Sequence, residues 1–375
     1  MAKAPGSIRD SICGYLQTIG GEASIEEISR AVMAQMGATS PSSVRSYLNN
    51  NVGKSLERTG RGRYRLRPNG HDVILSAEKR CLDPVATVGK AKLYEADCFE
   101  WLSSEPASSI HACVTDPPYG LLEYSEEEQE KLRKGRGGVW RIPPSFDGAK
   151  RAPLPRFTVL NDDDRGKLHL FFKRLGILLN RVLVPGGNVV VASNPLFSHI
   201  VASAMSEGGL EVRGQIVRLV MTMRGGDRPK NAHLEFPNVS VMPRSMFEPW
   251  IVLRRPLEGR VQDSLRHHNT GGFRRISDEK PFGDVIPSQK TPKREREIAP
   301  HPSIKPQSFL RQVVRAALPM GQGTVLDPFA GSGSTLAAAN AIGYTSVGIE
   351  SDPNYVSVAK RAIEKLGSLR EVDPV

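Results

Sequence analysis

Cysteine is scarce in this chain: there are four among 375 residues, at positions 13, 81, 98 and 113, none in C-x-x-C spacing. That excludes a disulfide-stapled scaffold or a cysteine-rich zinc module and suits a reducing compartment. Long apolar runs are missing too. None approaches the roughly 20 residues that span a bilayer, and residues 1–7 lack the apolar stretch of a secretory leader. A soluble, cytoplasmic protein with no membrane partner is expected. Metal-ligand spacing is absent as well: His267-His268 has no cysteine or acid at ligand spacing, so no metal is expected. Nor is there an acidic excess. Lys and Arg number 51 against 40 Asp and Glu, a formal charge of +11 with a pI of about 9.6. An anionic polymer is the natural partner of such a chain.

What is present begins with length: 375 residues, 39% of them hydrophobic, are enough for one large and one small core. Within it, an apolar run at 110–115 reads as a buried strand that delivers Asp116-Pro117-Pro118-Tyr119 to its carboxyl end. Two consecutive prolines forbid helix and ladder pairing, so the backbone there is rigid and extended. Ligands of open α/β sheets bind at such strand ends. The tetrad suits attack by an exocyclic amino group of a base, whose lone pair is delocalised into the ring. Asp116 and a carbonyl near Pro117 would each accept one N–H and free that lone pair toward a methyl donor, while Tyr119 would stack on an extruded base. An ordinary Asp-Pro turn fits the same four letters.

A second motif, residues 324–335, runs from an apolar strand through Asp327-Pro328-Phe329-Ala330-Gly331-Ser332-Gly333-Ser334-Thr335 into a helix-forming stretch. Glycine lets the backbone approach a ligand closely. A further strand, 345–349, ends at Glu350, where a carboxylate would hold ribose hydroxyls. Leu336 stands where the dinucleotide fingerprint wants a third glycine. The unit by itself leaves NAD and S-adenosylmethionine open.

Taken together, these residues resemble the amino-group DNA methyltransferases. The tetrad precedes the glycine loop, which is the β-type permutation, and the likeness runs from about 93 to 366. His301-Pro302-Ser303-Ile304-Lys305-Pro306 resembles the family's HPTQKP segment. Tyr94-Glu95-Ala96-Asp97 resembles its G-D segment, with Ala96 for glycine. Arg181-Val182-Leu183-Val184-Pro185-Gly186-Gly187 matches its R-V-L-K-P-G-G turn, with Val184 for lysine. The resemblance implies an S-adenosylmethionine-dependent, Rossmann-like α/β fold with a mostly parallel sheet flanked by helices. It implies Asp116, Pro117, Pro118 and Tyr119 as catalytic residues. For the cofactor it implies Asp97, Lys305, Asp327, Pro328, Phe329, Gly331, Gly333, Ser334, Thr335, Glu350 and Asp352. The expected reaction is site-specific methyl transfer to adenine N6 in double-stranded DNA, by base flipping and direct in-line transfer. In this family Asp at the head of the tetrad is usual for adenine and Ser for cytosine N4. An N4-cytosine enzyme and a DNA-binding regulator on a degenerate scaffold are the alternatives. A second copy of the chain and a cognate restriction nuclease are the further candidate partners. No cysteine follows a proline, which argues against the Pro-Cys nucleophile of 5-methylcytosine enzymes.

The domain reading is 1–75 winged-helix-like, 76–90 linker and 91–375 methyltransferase, with insertions at 121–164 and 254–300 as candidate recognition loops. In the first part Ile8, Ile12, Leu16 and Ile19 share a helical face. Ser24 and Glu27 form a capping box for a second helix, Pro41 opens a third, and 56–67 reads as a hairpin. Arg45, Asn49 and Asn50 carry donors suited to base edges, and Lys54, Arg58, Arg61, Arg63 and Arg65 would meet phosphates. Residues 54–67 hold six basic residues against Glu57 alone. Later in the chain, helix 168–183, strand 188–192, a loop at 225–238 over the active site and a closing helix capped by Asp352 are expected.

Overall fold

The computed structural model describes residues 11–12, 15–16, 19, 21–36, 41–52, 56–66, 83–118, 145–146, 149–150, 162–221, 226, 228–229, 231–301 and 304–370. Tyr119, Lys54, the side chain of Asn50 and nearly all of 121–161 lie outside them. The chain forms two compact units, Met1–Glu78 and Lys79–Val375.

In the small unit, strand β1 (Glu22–Ser24) precedes helices α1 (Ile25–Met36) and α2 (Pro41–Asn51), and strands β2 (Leu56–Gly60) and β3 (Arg63–Leu66) follow. The three strands form an antiparallel sheet in the order β1-β3-β2. The capping box is formed: the Ser24 amide donates to Glu27 Oε2 at 2.7 Å and the Glu27 amide to Ser24 Oγ at 3.2 Å. Ile12, Leu16, Ile28, Val32, Val44, Leu48 and Tyr64 are buried together. Ile19, expected on that face, is 42% exposed.

The large unit is built on a nine-stranded sheet. Its strands are β4 (Ala86–Val88), β5 (Ala91–Glu95), β6 (Ile110–Thr115), β9 (Leu183–Ala192), β10 (Glu211–Leu219), β11 (Phe247–Arg254), β12 (Val285–Pro287), β13 (Thr324–Asp327) and β14 (Thr345–Glu350). A separate two-stranded ribbon, β7 (Ser145–Phe146) with β8 (Ala149–Lys150), falls in the first insertion. The sheet order is β12-β10-β11-β9-β6-β13-β14-β5-β4. The run from β9 to β5 is parallel, and antiparallel pairs join β4, β10 and β11 to it. β6 and β9 are apolar and almost wholly buried, as strands covered on both faces must be.

Helix α4 (Asp162–Val182) packs against α3 (Cys98–Ser104) and α5 (Ser198–Glu207), and α9 (Ser334–Ala341) packs against α8 (Gln307–Ala317) and α10 (Pro353–Gly367). Two short helices, α6 (Val261–His268) and α7 (Lys293–Ile298), complete the set. The chain leaves β6 through α4 toward β9, and leaves β13 through α9 toward β14, in opposite directions along the sheet. Right-handed crossovers therefore place these helices on opposite faces and open a crevice beyond the carboxyl ends of β6 and β13. α9 is short and rich in alanine, and its small side chains let it sit buried against α8 and α10.

Three boundaries differ from expectation. β4 belongs to the sheet although it lies in the segment read as linker; three residues at a sheet edge carry too little pattern to announce a strand. α4 begins at Asp162 rather than 168, and β9 takes in Pro185-Gly186-Gly187, read as a turn. The segment 254–300 is not an irregular insertion throughout. It supplies the end of β11, helices α6 and α7, and β12, which pairs in parallel with β10.

Candidate active site at the ends of two parallel strands

Both sequence motifs arrive at one edge because β6 and β13 are sheet neighbours, with Ala112 opposite Val325 and Cys113 opposite Leu326. Their ends are tied together. The Thr115 hydroxyl donates to Asp327 Oδ1 at 2.7 Å, and the Phe329 amide donates to the same oxygen at 3.1 Å. Asp116 follows Thr115 directly, half-buried, while Pro117 is buried and Pro118 exposed. One cleft is lined by Asp116, His301, Lys305, Asp327, Phe329, Gly331, Ser332, Ser334 and Thr335.

The glycine loop turns through left-handed backbone, at φ 51° for Gly331 and 82° for Gly333. A Cβ on Gly333 would lie 2.6 Å from Ile363 Cγ1 on α10, so only glycine fits there. Glu350, at the end of β14, holds the loop. Its Oε2 accepts from the Gly331 amide and its Oε1 from the Asp352 amide, each at 2.8 Å. The Ser334 hydroxyl is buried with no partner among the described residues. A wall of Phe329, Phe171 and Phe99 stands beside the loop, with ring centroids 5.9 and 5.1 Å apart in sequence. These features fit a nucleoside-bearing cofactor: a glycine turn that allows close backbone approach, a carboxylate at a strand end, an orphan hydroxyl and an aromatic wall.

Three other residues expected at the cofactor make contacts within the protein. The Asp97 carboxylate caps α3, accepting from the Phe99 and Glu100 amides at 2.8 and 3.0 Å. Asp352 caps α10 through the Asn354 amide at 2.8 Å. Lys305 turns its ammonium to Asp116, donating to Oδ2, and lies 3.8 Å from Glu248 Oε2. A buried ammonium needs a nearby carboxylate, and Asp116 supplies one to Lys305 within the cleft that Lys305 shares with the glycine loop. Sequence reasoning did not single out Thr115, Phe171, Arg218, Glu248 or His301 as site residues. The first is an ordinary strand residue, and the next three lie on elements far from either motif in sequence. Burial, and then the Lys305 charge, push the His301 imidazole down to about 4, so it is neutral near pH 7. A Cβ on Gly331 would approach its Nε2 at 3.3 Å.

Among the described residues no three His, Cys, Asp or Glu are grouped to hold a metal. Burial pushes the Cys98 thiol up to about 12 and Cys113 upward as well, so neither offers a thiolate nucleophile. No helix among the described residues is long and apolar enough to cross a membrane.

Asp327 is buried, and desolvation raises its pKa from 3.8 to about 6 despite hydrogen bonds from Thr335, Thr115 and the Phe329 amide; the Asp116 charge adds to the rise. A carboxyl raised on folding stabilises the protein in full below its unfolded pKa, and that contribution is lost as pH rises through the folded value. Between pH 4 and 6 wild-type protein should therefore lose up to about 3 kcal/mol relative to Asp327→Asn, whose amide oxygen keeps the same acceptor role. Urea midpoints across that range check this, and parallel pH profiles for the two proteins would refute it.

A family model described as DNA methylase, covering N6 and N4 methyltransferases, matches residues 110–361. The Type II methyltransferase M2.DpnII of Streptococcus pneumoniae is 22% identical over 281 residues, 75% of this chain and 92% of that protein. Among solved structures, the cytosine-N4-specific PvuII DNA methyltransferase aligns with a TM-score of 0.49 at 15% identity, over 77% of this chain and 90% of its own. The M1.HpyAVI complex with S-adenosylmethionine aligns with a TM-score of 0.45 at 19% identity, over 74% and 100%.

Proposed function

The chain belongs to the N6/N4 DNA methylase family, and on that premise we propose that it transfers a methyl group from S-adenosylmethionine to the N6 amino group of adenine. One observation carries the reading. A half-buried carboxylate, Asp116, sits at the end of β6 beside a glycine loop at the end of β13, with the two strand ends joined by the Thr115–Asp327 hydrogen bond. Methyl transfer needs an amine and a methyl in line, and two adjacent strand ends held in register supply that alignment.

When bound, S-adenosylmethionine supplies an electrophilic methyl on a sulfonium that departs as a neutral thioether. The Gly331–Gly333 backbone, the Ser334 hydroxyl and Glu350 would hold it, against the wall of Phe329 and Phe171. Asp116 accepts one amino proton of the extruded base and directs the nitrogen lone pair to the methyl carbon. Pro117 has no N–H of its own, so that stretch of backbone offers the base a carbonyl and no competing donor. As the N–C bond forms, the displaced amino proton leaves by way of the Asp116 carboxylate. The acid at the head of the tetrad favours adenine, since N4-cytosine members usually carry serine there.

Nucleosides from DNA modified in vitro should contain N6-methyladenine and no N4-methylcytosine. The converse product would overturn the base assignment while leaving the rest of the chemistry in place.

We infer further that the small unit is a winged-helix-like module that binds DNA through exposed basic residues. The acids brought in by folding narrow the set. Arg65 pairs with Glu57 of the hairpin at 2.9 Å, and Arg63 with Glu22 at 2.8 Å, an acid that folding adds to the hairpin's own. Asn49, expected to read base edges, accepts from the Tyr64 hydroxyl at 2.9 Å. Arg45, Arg58 and Arg61 remain exposed. Each phosphate contact contributes about 0.9 to the slope of log affinity against log salt. Replacing these three by alanine in the full chain should therefore flatten the slope by as much as about 2.7 and leave S-adenosylmethionine binding unchanged. An unaltered slope would assign the unit to another partner.

A further inference from the structure

Behind the acid of the tetrad stands a second carboxylate that neither motif contains. Glu248 is the second residue of β11, which runs antiparallel to β9, so its side chain lies at the same sheet end as Asp116. Its Oε1 accepts from the Trp250 indole at 2.8 Å. Its Oε2 faces two cations, the Arg218 guanidinium at 3.4 Å and the Lys305 ammonium at 3.8 Å. Lys305 in turn donates to Asp116 Oδ2.

Arg218 is itself fixed, donating to Ser288 Oγ at 3.0 Å and to the Gln289 carbonyl at 2.9 Å, with its guanidinium over the Phe309 ring. Four charges thus alternate in sign from Asp116 through Lys305 and Glu248 to Arg218. Their side chains are only 16, 8, 16 and 5% exposed. They come from the end of β6, the segment before α8, the start of β11 and β10, so tertiary structure alone assembles them.

A buried ion chain is a poor source of stability, because desolvation offsets much of the attraction, but it allows few geometries. Here the geometry concerns the group that must meet the amine. We propose that Glu248 is a positioning residue for methyl transfer: it anchors the Lys305 ammonium, which sets the direction in which Asp116 presents its carboxylate to the target amino group. Arg218 keeps the Glu248 carboxylate in place from the far side. Without the Glu248 charge, Lys305 would lose the anion that holds it on the side away from Asp116, and its repulsion from Arg218 would drive it further onto the acid. The inference rests on the reading of Asp116 as the acceptor of the amino proton.

The test is a double-mutant cycle in the full-length protein, with single-turnover methyl transfer to DNA, the KM for DNA and the S-adenosylmethionine Kd all measured. Glu248→Gln keeps an acceptor for Trp250 and removes the charge, together with the Oε2 acceptor that faces Arg218. It should lower the methyl-transfer rate at least tenfold with Kd and KM within twofold of wild type. Glu248→Asp, which retains the charge on a shorter arm, should recover part of that loss. Because Glu248 acts through Lys305, adding Glu248→Gln to Lys305→Met should lower the rate by less than a further twofold. Multiplying losses, a wild-type rate in Glu248→Gln, or a loss confined to Kd or KM would each overturn the proposal. A wild-type protein that methylates no DNA would instead overturn the reading of Asp116 and, with it, this inference.

Discussion

Replacing Asp116 by alanine should abolish methyl transfer while S-adenosylmethionine binding stays within a few-fold of wild type. The loss expected for a preorganised group at the reacting centre is about 100- to 1,000-fold in turnover. The reason for the split between chemistry and binding is positional. Asp116 extends β6, whereas the glycine loop is held by Glu350, Asp327 and the packing of Gly333 on Ile363. None of those contacts uses the Asp116 side chain. Folding should survive as well, since Lys305 keeps Glu248 as a counter-charge at 3.8 Å. Methyl incorporation into DNA and titration calorimetry on the same preparation measure the two quantities. A variant that kept a tenth or more of wild-type turnover would remove Asp116 from the mechanism.

The second large effect is expected at Glu350, in binding. Glu350→Ala should weaken S-adenosylmethionine at least tenfold, because a hydrogen bond to a charged acceptor contributes about 1.5–3 kcal/mol. Two causes combine here. The carboxylate would lose its contact with the ribose, and the Gly331 and Asp352 amides would lose their acceptor, freeing the glycine loop. Glu350→Gln should fare little better, since its amide nitrogen cannot accept from the second of the two N–H groups. Turnover at saturating cofactor should fall by much less than affinity. A Kd unchanged in both variants would sink the ribose assignment. The Asp116 and Glu350 results together would divide the cleft into a side that meets the base and a side that meets the cofactor.

Much of this site is legible from the chain alone because its two halves are local. A strand ending in Asp116-Pro117-Pro118 and a strand ending in the Asp327-to-Thr335 loop each announce themselves by an apolar run followed by residues that stop it. The capping box at Ser24 and the cap at Asp352 are equally local, since a side chain there bonds to an amide two or three residues on. The buried face of α10 can be read from Val356, Ala359, Ile363 and Leu366 for the same reason of short-range periodicity.

Only the fold decided which charges meet. Lys305 sits in a segment that resembles one just before the helix flanking the cofactor, and among the described residues it meets the carboxylates of Asp116 and Glu248, from strands far away in sequence. Glu22 reaches Arg63 because β1 pairs with β3, a contact no window along the hairpin contains. The segment from 254 to 300 reads as a polar insertion, but β12 completes the sheet edge there and its neighbours Ser288 and Gln289 anchor Arg218. Periodicity and capping act over a few residues and are written in order along the chain. The partner of a buried charge depends on which strands the sheet sets side by side, and that was settled by tertiary packing.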